Sequence, residues 1–160
     1  LSYARLDQAM VEMNKTDCDF LALVENWIRT KGSDNMNITL IKPKNNCCVY
    51  ADSAYLNILV KNLMENALNY GKNQVKIQLK TQSHVVVMIV EDDGEGVNSN
   101  IKMDILKPFV RGKYQQNQVK GHGIGLAIVK RVIDWHKGSI DIGDSESLGG
   151  AKFTITLPKK

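Results

Sequence analysis

The run Val85–Glu91 (VVVMIVE) is almost unbroken in apolar character and passes directly into Asp92-Asp93-Gly94-Glu95-Gly96. A strand without polar alternation belongs in the middle of a sheet, with both faces covered. The glycines after it let the backbone turn sharply and approach a ligand closely. A carboxylate at the end of such a strand can accept a hydrogen bond from an exocyclic amine. An acidic surface turn has the same composition, so this pattern alone does not assign a ligand.

The remaining elements arrange themselves around that strand. Leu56, Leu59, Val60, Leu63, Met64 and Ala67 recur at helical spacing and predict a long helix over 53–70, with Asp52 as N-cap and Gly71 as its stop. A helix over 20–30 follows from Asp19 as cap and from the stripe Phe20, Leu23, Val24, Trp27 and Ile28, with Gly32 and Ser33 ending it. A third helix is expected over 126–135, ended by Gly138, and a weak one near 101–106. Residues 37–41 and 47–50 read as short strands around a Pro43–Asn46 turn. Residues 75–81, 139–142 and 152–157 read as further strands. Residues 112–120 (GKYQQNQVK) carry no core pattern and are expected to form a mobile loop. The order predicts an α/β (α+β) two-layer sandwich, with a mixed, mostly antiparallel sheet of about five strands and three main helices on one face.

Composition narrows the function classes. The chain has 160 residues and a net charge of +4, with charges scattered rather than clustered among aromatics, which disfavours nucleic acid. Cys18, Cys47 and Cys48 are odd in number and form no C-x-x-C pair, against a disulfide framework or a zinc site. A reducing compartment follows. No apolar run approaches the roughly 20 residues of a membrane-spanning helix, so no direct membrane contact is expected of this stretch. The chain starts at Leu1 rather than Met and reads as part of something longer.

Two further patterns carry chemistry. Asn62 and Asn66 share one face of the long helix, where two carboxamides can present oxygens to a hard cation such as Mg²⁺. Asparagine is also common on exposed helix faces. Gly121-His122-Gly123-Ile124-Gly125-Leu126 stands just before a helix, so backbone N–H groups and the positive helix end can meet an anion. It lacks the G-x-G-x-x-G spacing of dinucleotide folds and the G-K-[ST] of a P-loop, and describes a phosphate site of another design.

In order and separation these patterns resemble the GHKL ATPase superfamily, and within it the catalytic domain of sensor histidine kinases. Asn62–Asn66 looks like the N box, 92–96 (DDGEG) the first glycine box, 108–112 (PFVRG) the F box and 121–129 (GHGIGLAIV) the second glycine box. Residues 148–158 (LGGAKFTITLP) resemble the closing segment, and 1–7 (LSYARLD) the end of the dimerisation helix that precedes the domain. The resemblance covers nearly the whole chain. It implies the Bergerat fold, with residues 1–15 as the end of the dimerisation helix and linker, and 16–160 as the ATP-binding catalytic domain. It also implies ATP and Mg²⁺ as cofactors. Asn66 would hold Mg²⁺ and Asn62 would face the phosphates. Tyr70 would line the pocket. Asp92 would bind the adenine amine, with Gly94 and Gly96 shaping the floor. Phe109 and Arg111 would open the lid. Gly121, Gly123 and Gly125 would wrap the phosphates, with Leu126 starting the helix behind them.

The implied activity is transfer of the ATP γ-phosphoryl group to a histidine outside this chain. The partners would be the dimerisation and phosphotransfer domain of the same kinase and a cognate response regulator. The place would be the cytoplasmic side of a bacterial inner membrane. Hydrolytic relatives carry Glu where this chain has Asn62, and a neutral amide is a poor general base. The resemblance therefore favours phosphoryl transfer over hydrolysis, with a hydrolytic GHKL ATPase as one alternative and a degenerate nucleotide-binding or docking domain as the other. Two departures keep the latter open: Asn69 stands where a basic residue is usual, and Glu95 where Pro is usual. Lys72, Lys113 or Lys120 can supply the missing charge. His84, His122 and His136 lack the sequence surroundings of a phospho-acceptor, and His136 is expected at a helix end that favours a cation. Asp93 and Glu91 read as solvated acids, Trp27 and Trp135 as core residues, and Cys47 and Cys48 as strand residues.

Overall fold

The computed structural model describes residues 12–31, 36–106 and 122–159. In chain order the elements are β1 (Lys15–Asp19), α1 (Phe20–Lys31), β2 (Asn37–Ile41), β3 (Cys48–Asp52), α2 (Ser53–Tyr70), β4 (Gln74–Gln82), β5 (Val85–Asp92), α3 (Ser99–Leu106), α4 (His122–Trp135), β6 (Ser139–Asp144) and β7 (Ala151–Pro158). Five strands form one sheet in the order β2-β4-β5-β7-β6, and β1 pairs with β3 in a separate two-stranded sheet. Only the β2–β4 pairing in the large sheet is parallel. The expected mixed, mostly antiparallel sheet with helices packed against it is therefore the observed one.

The apolar run 85–90 lies at the sheet centre, as its composition requires. Val86, Met88 and Val90 point into the core beside Ile77 and Leu79 of β4 and Phe153, Ile155 and Leu157 of β7. The helices close that face, with α2 and α4 packed on each other and on the sheet. Val87, Ile89 and Glu91 alternate to the other side.

Local signals set the helix starts. Asp19 Oδ1 accepts from Ala22 N at 3.0 Å, and Asp52 Oδ1 from Ala54 N at 3.0 Å. Each side chain satisfies one of the backbone donors that a helix start leaves without a partner. Gly71 ends α2 in an extended conformation (φ −69°), not a left-handed one. A side chain there would crowd the Ala67 carbonyl and the Asp92 Cβ, so the glycine answers a close approach.

Three features of the fold differ from what the sequence predicts. The strands at 37–41 and 47–50 are not partners: β2 joins β4 and β3 joins β1. β1, a short polar strand, had no sequence signal. The third helix starts at His122, inside the glycine box, rather than at Leu126. At its other end Lys137 takes a left-handed backbone (φ 58°), and Gly138 follows it at the expected stop. Gly138 N donates to Ile133 O at 3.0 Å, and a Cβ on it would collide with the Thr156 carbonyl. The 1–7 helix end, the Gly32-Ser33 stop and the 112–120 loop lie outside the described residues.

Candidate functional site

The site forms where the end of β5 meets the end of α2 and the start of β7. Asp92 is 2% exposed. Its Oδ1 accepts from Gly94 N at 2.9 Å and Ala151 N at 3.2 Å, and its carbonyl accepts from Gly150 N at 3.0 Å. The carboxylate is thereby fixed by backbone on two sides. Gly94 is pressed against the α2 terminus, where a Cβ would collide with the Tyr70 carbonyl. Gly96 turns the loop with φ 85°, a conformation that glycine adopts without strain.

Gly150 is a further residue packed against the seat of Asp92 that the sequence patterns did not single out. A Cβ there would collide with Asp92 Oδ1, the Asp92 carbonyl and Gly94 N. The Gly149-Gly150 pair in the closing segment was the available signal.

Glu91 is buried rather than a solvated acid, whereas Asp93 is partly exposed but held by backbone donors. Asp93 accepts from Lys72 N at 2.7 Å and Asn73 N at 3.1 Å, tying the first glycine loop to the α2–β4 turn. Burial raises its carboxyl, but the backbone donors of Asn73, Lys72 and Gln74 outweigh this and hold it below 3.8. Glu91 is 8% exposed, accepts from Ser145 Oγ at 2.9 Å and pairs with Lys76 Nζ at 3.2 Å. Ser145 Oγ in turn accepts from Leu148 N at 3.0 Å. This chain of contacts shapes the β6–β7 turn that delivers Gly150 to Asp92.

On α2, Asn62 and Asn66 share the face turned toward α4. Asn62 Nδ2 donates to the Ile58 carbonyl at 2.8 Å, which turns Oδ1 outward. A Cβ on Gly125 would lie 3.5 Å from that oxygen, so Gly125 of the second glycine box faces Asn62 directly. Asn66 is 4% exposed, and among the described residues neither Nδ2 nor Oδ1 has a hydrogen-bond partner. Burying an unpaired amide costs about 1–3 kcal/mol. A cation at Oδ1 would offset part of that cost, so the residue fits the ligand set that the resemblance implies.

Gly123 and Gly125 lie in the first turn of α4, where backbone N–H groups have no intrahelical acceptor. Leu126 is buried behind them. Tyr70 lines a cleft of about 520 Å³ with Asn69, Lys72, Glu95, Gly96 and Val97. Both departures, Asn69 and Glu95, thus stand at this cleft, and Lys72 is a cation within it. Phe109, Arg111, Gly121, Lys113 and Lys120 lie outside the described residues. The described residues hold no group of three or more His, Cys, Asp or Glu suited to a metal ion. An amide site such as Asn66 escapes that pattern.

His136 is buried, with Nδ1 2.7 Å from the Val132 carbonyl and Nε2 accepting from Asp52 N at 3.1 Å. It is a neutral core residue rather than a cation at a helix end. Trp135 packs edge-on against Tyr55 at 5.4 Å and under Arg131 at 5.6 Å.

Residues 51–160 match the family described as histidine kinase-, DNA gyrase B-, and HSP90-like ATPase. The sensor protein RstB of Escherichia coli (strain K12) is 33% identical over 165 residues, covering 99% of this chain and 37% of RstB. Sensor histidine kinase CssS of Bacillus subtilis (strain 168) is 32% identical over 109 residues, covering 68% of this chain and 22% of CssS. The solved histidine kinase domain of the E. coli osmosensor EnvZ superposes with a TM-score of 0.68 at 29% identity, over 96% of this chain and 92% of that one. The Acinetobacter baumannii histidine kinase AdeS shares the fold, with a TM-score of 0.74 at 23% identity, over 98% of this chain and 73% of that one.

The chain belongs to the histidine kinase-, DNA gyrase B- and HSP90-like ATPase family. Within it, it is an ATP-binding domain of the GHKL histidine kinase type, with the Bergerat fold. It spans just over a third of RstB and under a quarter of CssS, 37% and 22% respectively. Among the described residues no helix is long and apolar enough to cross a membrane.

Proposed function

We propose that this domain binds Mg²⁺–ATP and passes the γ-phosphoryl group to a histidine on the dimerisation helix of a two-component sensor kinase. The observation that carries the reading is the buried, unpartnered Asn66 amide on the same face as Asn62, opposite Gly125. Asn66 Oδ1 holds the cation, which when bound neutralises phosphate charge. The first-turn N–H groups of α4 bind phosphate oxygens. The Asp92 carboxylate accepts from the adenine amine while Gly94 and Ala151 keep it in place. Tyr70 lines the pocket; by the family resemblance Phe109 and Arg111 would open the lid, and Gly121 would join Gly123 and Gly125 in wrapping the phosphates.

Asn62 supports transfer over hydrolysis. Its amide has no basic lone pair with which to activate water, so the reaction rests on positioning the phosphoryl group for a stronger nucleophile. The acceptor and the cognate response regulator are partners of this surface. Residues 1–15 lead from the dimerisation helix, and the domain works on the cytoplasmic side of a bacterial inner membrane.

The test is to supply, in trans, a dimerisation domain carrying its acceptor histidine, together with γ-labelled ATP and Mg²⁺. Acid-labile label on that domain, lost in Asn66→Ala, is the expected result. Steady phosphate release without labelling would move the protein to the hydrolytic class. Neither, in a folded protein, would leave a docking domain.

A further inference from the structure

α2 and α4 pack on each other extensively, and two points along this packing fix their relative direction. Near the nucleotide site, Gly125 of α4 faces Asn62 Oδ1 of α2. At the far end, His136 just past α4 accepts from the backbone N–H of Asp52, the N-cap of α2. The helices therefore run antiparallel, and about 15 Å of helix rise separates the two contacts.

His136 is 1% exposed. Its two neighbours fix its state: the Val132 carbonyl can only accept and the Asp52 N–H can only donate. The proton therefore sits on Nδ1, and Nε2 is the acceptor. A second proton would set Nε2–H against the Asp52 N–H and break this contact.

We propose that neutral His136 is a positioning residue for the nucleotide site: it locks the register of α4 on α2, and its protonation releases the lock and weakens nucleotide binding. The second half rests on the nucleotide-binding reading above, whereas the lock itself does not.

Burial is the main cause that lowers the imidazole below its ordinary 6.5. The Val132 carbonyl opposes this, Lys15 of β1 adds to it, and the Asp52 carboxylate opposes it. From the same helix pair, Tyr55 and Arg131 pack on the neighbouring Trp135 ring. The lock is therefore closed at neutral pH and opens only as pH falls below 6.5, toward the lowered folded value.

The experiment uses the whole chain, wild type and His136→Gln, whose amide oxygen can accept from Asp52 N–H without titrating. The first readout is by NMR without nucleotide: the Asn62 side-chain amide and the Gly125 backbone amide, followed on acidification. Both should shift with the His136 titration in wild type and stay flat in His136→Gln. The second is affinity for a non-hydrolysable ATP analogue above and below the titration. The loss on acidification should be about fivefold or more greater in wild type than in His136→Gln. Using one nucleotide for both proteins cancels the titration of its own phosphates.

Flat Asn62 and Gly125 signals while His136 titrates would overturn the lock. Equal pH dependence of affinity in the two proteins would overturn the link to binding. Absence of binding at every pH would instead sink the nucleotide reading, and the amide titration would still decide the lock. Should His136→Gln fail to fold, the wild-type titration decides alone.

Discussion

Asp92 Oδ1 and the α-carbon of Gly150 are packed so closely that no side chain fits between them. The same glycine donates its N–H to the Asp92 carbonyl at 3.0 Å. The start of β7 thus forms one wall of the carboxylate's seat, and Gly94 with Tyr70 forms the other.

Gly150→Ala tests that seat. Forcing a methyl group into a well-packed position typically costs about 1–3 kcal/mol. The variant should melt at lower temperature and lose nucleotide affinity, because the least costly relief is to displace Asp92. Gly143→Ala, with open space around its α-carbon, is the control and should bind as wild type. Calorimetry and thermal melts on both variants check this, and unchanged binding in Gly150→Ala would remove Gly150 from the site.

Asp93 gives a pH prediction. Its folded value lies below the unfolded 3.8, so its contribution to stability is complete above 3.8 and is lost as pH falls through the lowered value. Asp93→Asn should lower the urea midpoint at neutral pH. The gap to wild type should close at the acid end of the range. A gap that does not change with pH would assign the effect to packing rather than to the charged carboxylate.

Lys137 carries a left-handed backbone (φ 58°) at the end of α4. A residue with a Cβ pays about 1–2 kcal/mol for that conformation, partly offset by the greater unfolded freedom of glycine. Lys137→Gly should therefore raise stability by about 0.5–1 kcal/mol. Denaturant unfolding at neutral pH measures it, and a loss of stability would mean that the Lys137 side chain contributes more than its backbone costs.

Cys47 is expected to be a poor nucleophile. Burial, then the nearby Asp19 and Cys48, push its thiol up to about 11. Native protein at pH 8 should alkylate at Cys47 far more slowly than the unfolded chain, as peptide mass mapping would show. Equal rates would mean that this segment opens readily.

The sequence was most legible where structure is local. α2 runs over the expected residues because its cap, its apolar stripe and its stop all lie within the helix or beside it. β5 was recognisable by its apolar run. What was missed depends on partners distant in sequence. The turn at 43–46 suggests a hairpin, yet β2 pairs in parallel with β4 and β3 with the polar β1, a choice no local signal encodes. Glu91 looks like a surface acid until register sets it opposite Lys76 and brings Ser145 to it. His136 at a helix end suggests a cation, and only its burial against Asp52 N–H makes it neutral. Asn62, Asn66, Asp92 and Gly125 were readable as candidates, but that Asn62 faces Gly125 is a product of the fold.

The central claim is that Asp92, Asn66 and the glycine-box turn of α4 form one nucleotide site. Its most direct test is calorimetric titration of the chain with a non-hydrolysable ATP analogue, with and without Mg²⁺, beside Asp92→Asn. The account predicts binding that strengthens with Mg²⁺ in wild type and disappears in a folded Asp92→Asn. A folded wild-type protein that binds no nucleotide, or an Asp92→Asn variant that binds as tightly as wild type, would contradict it.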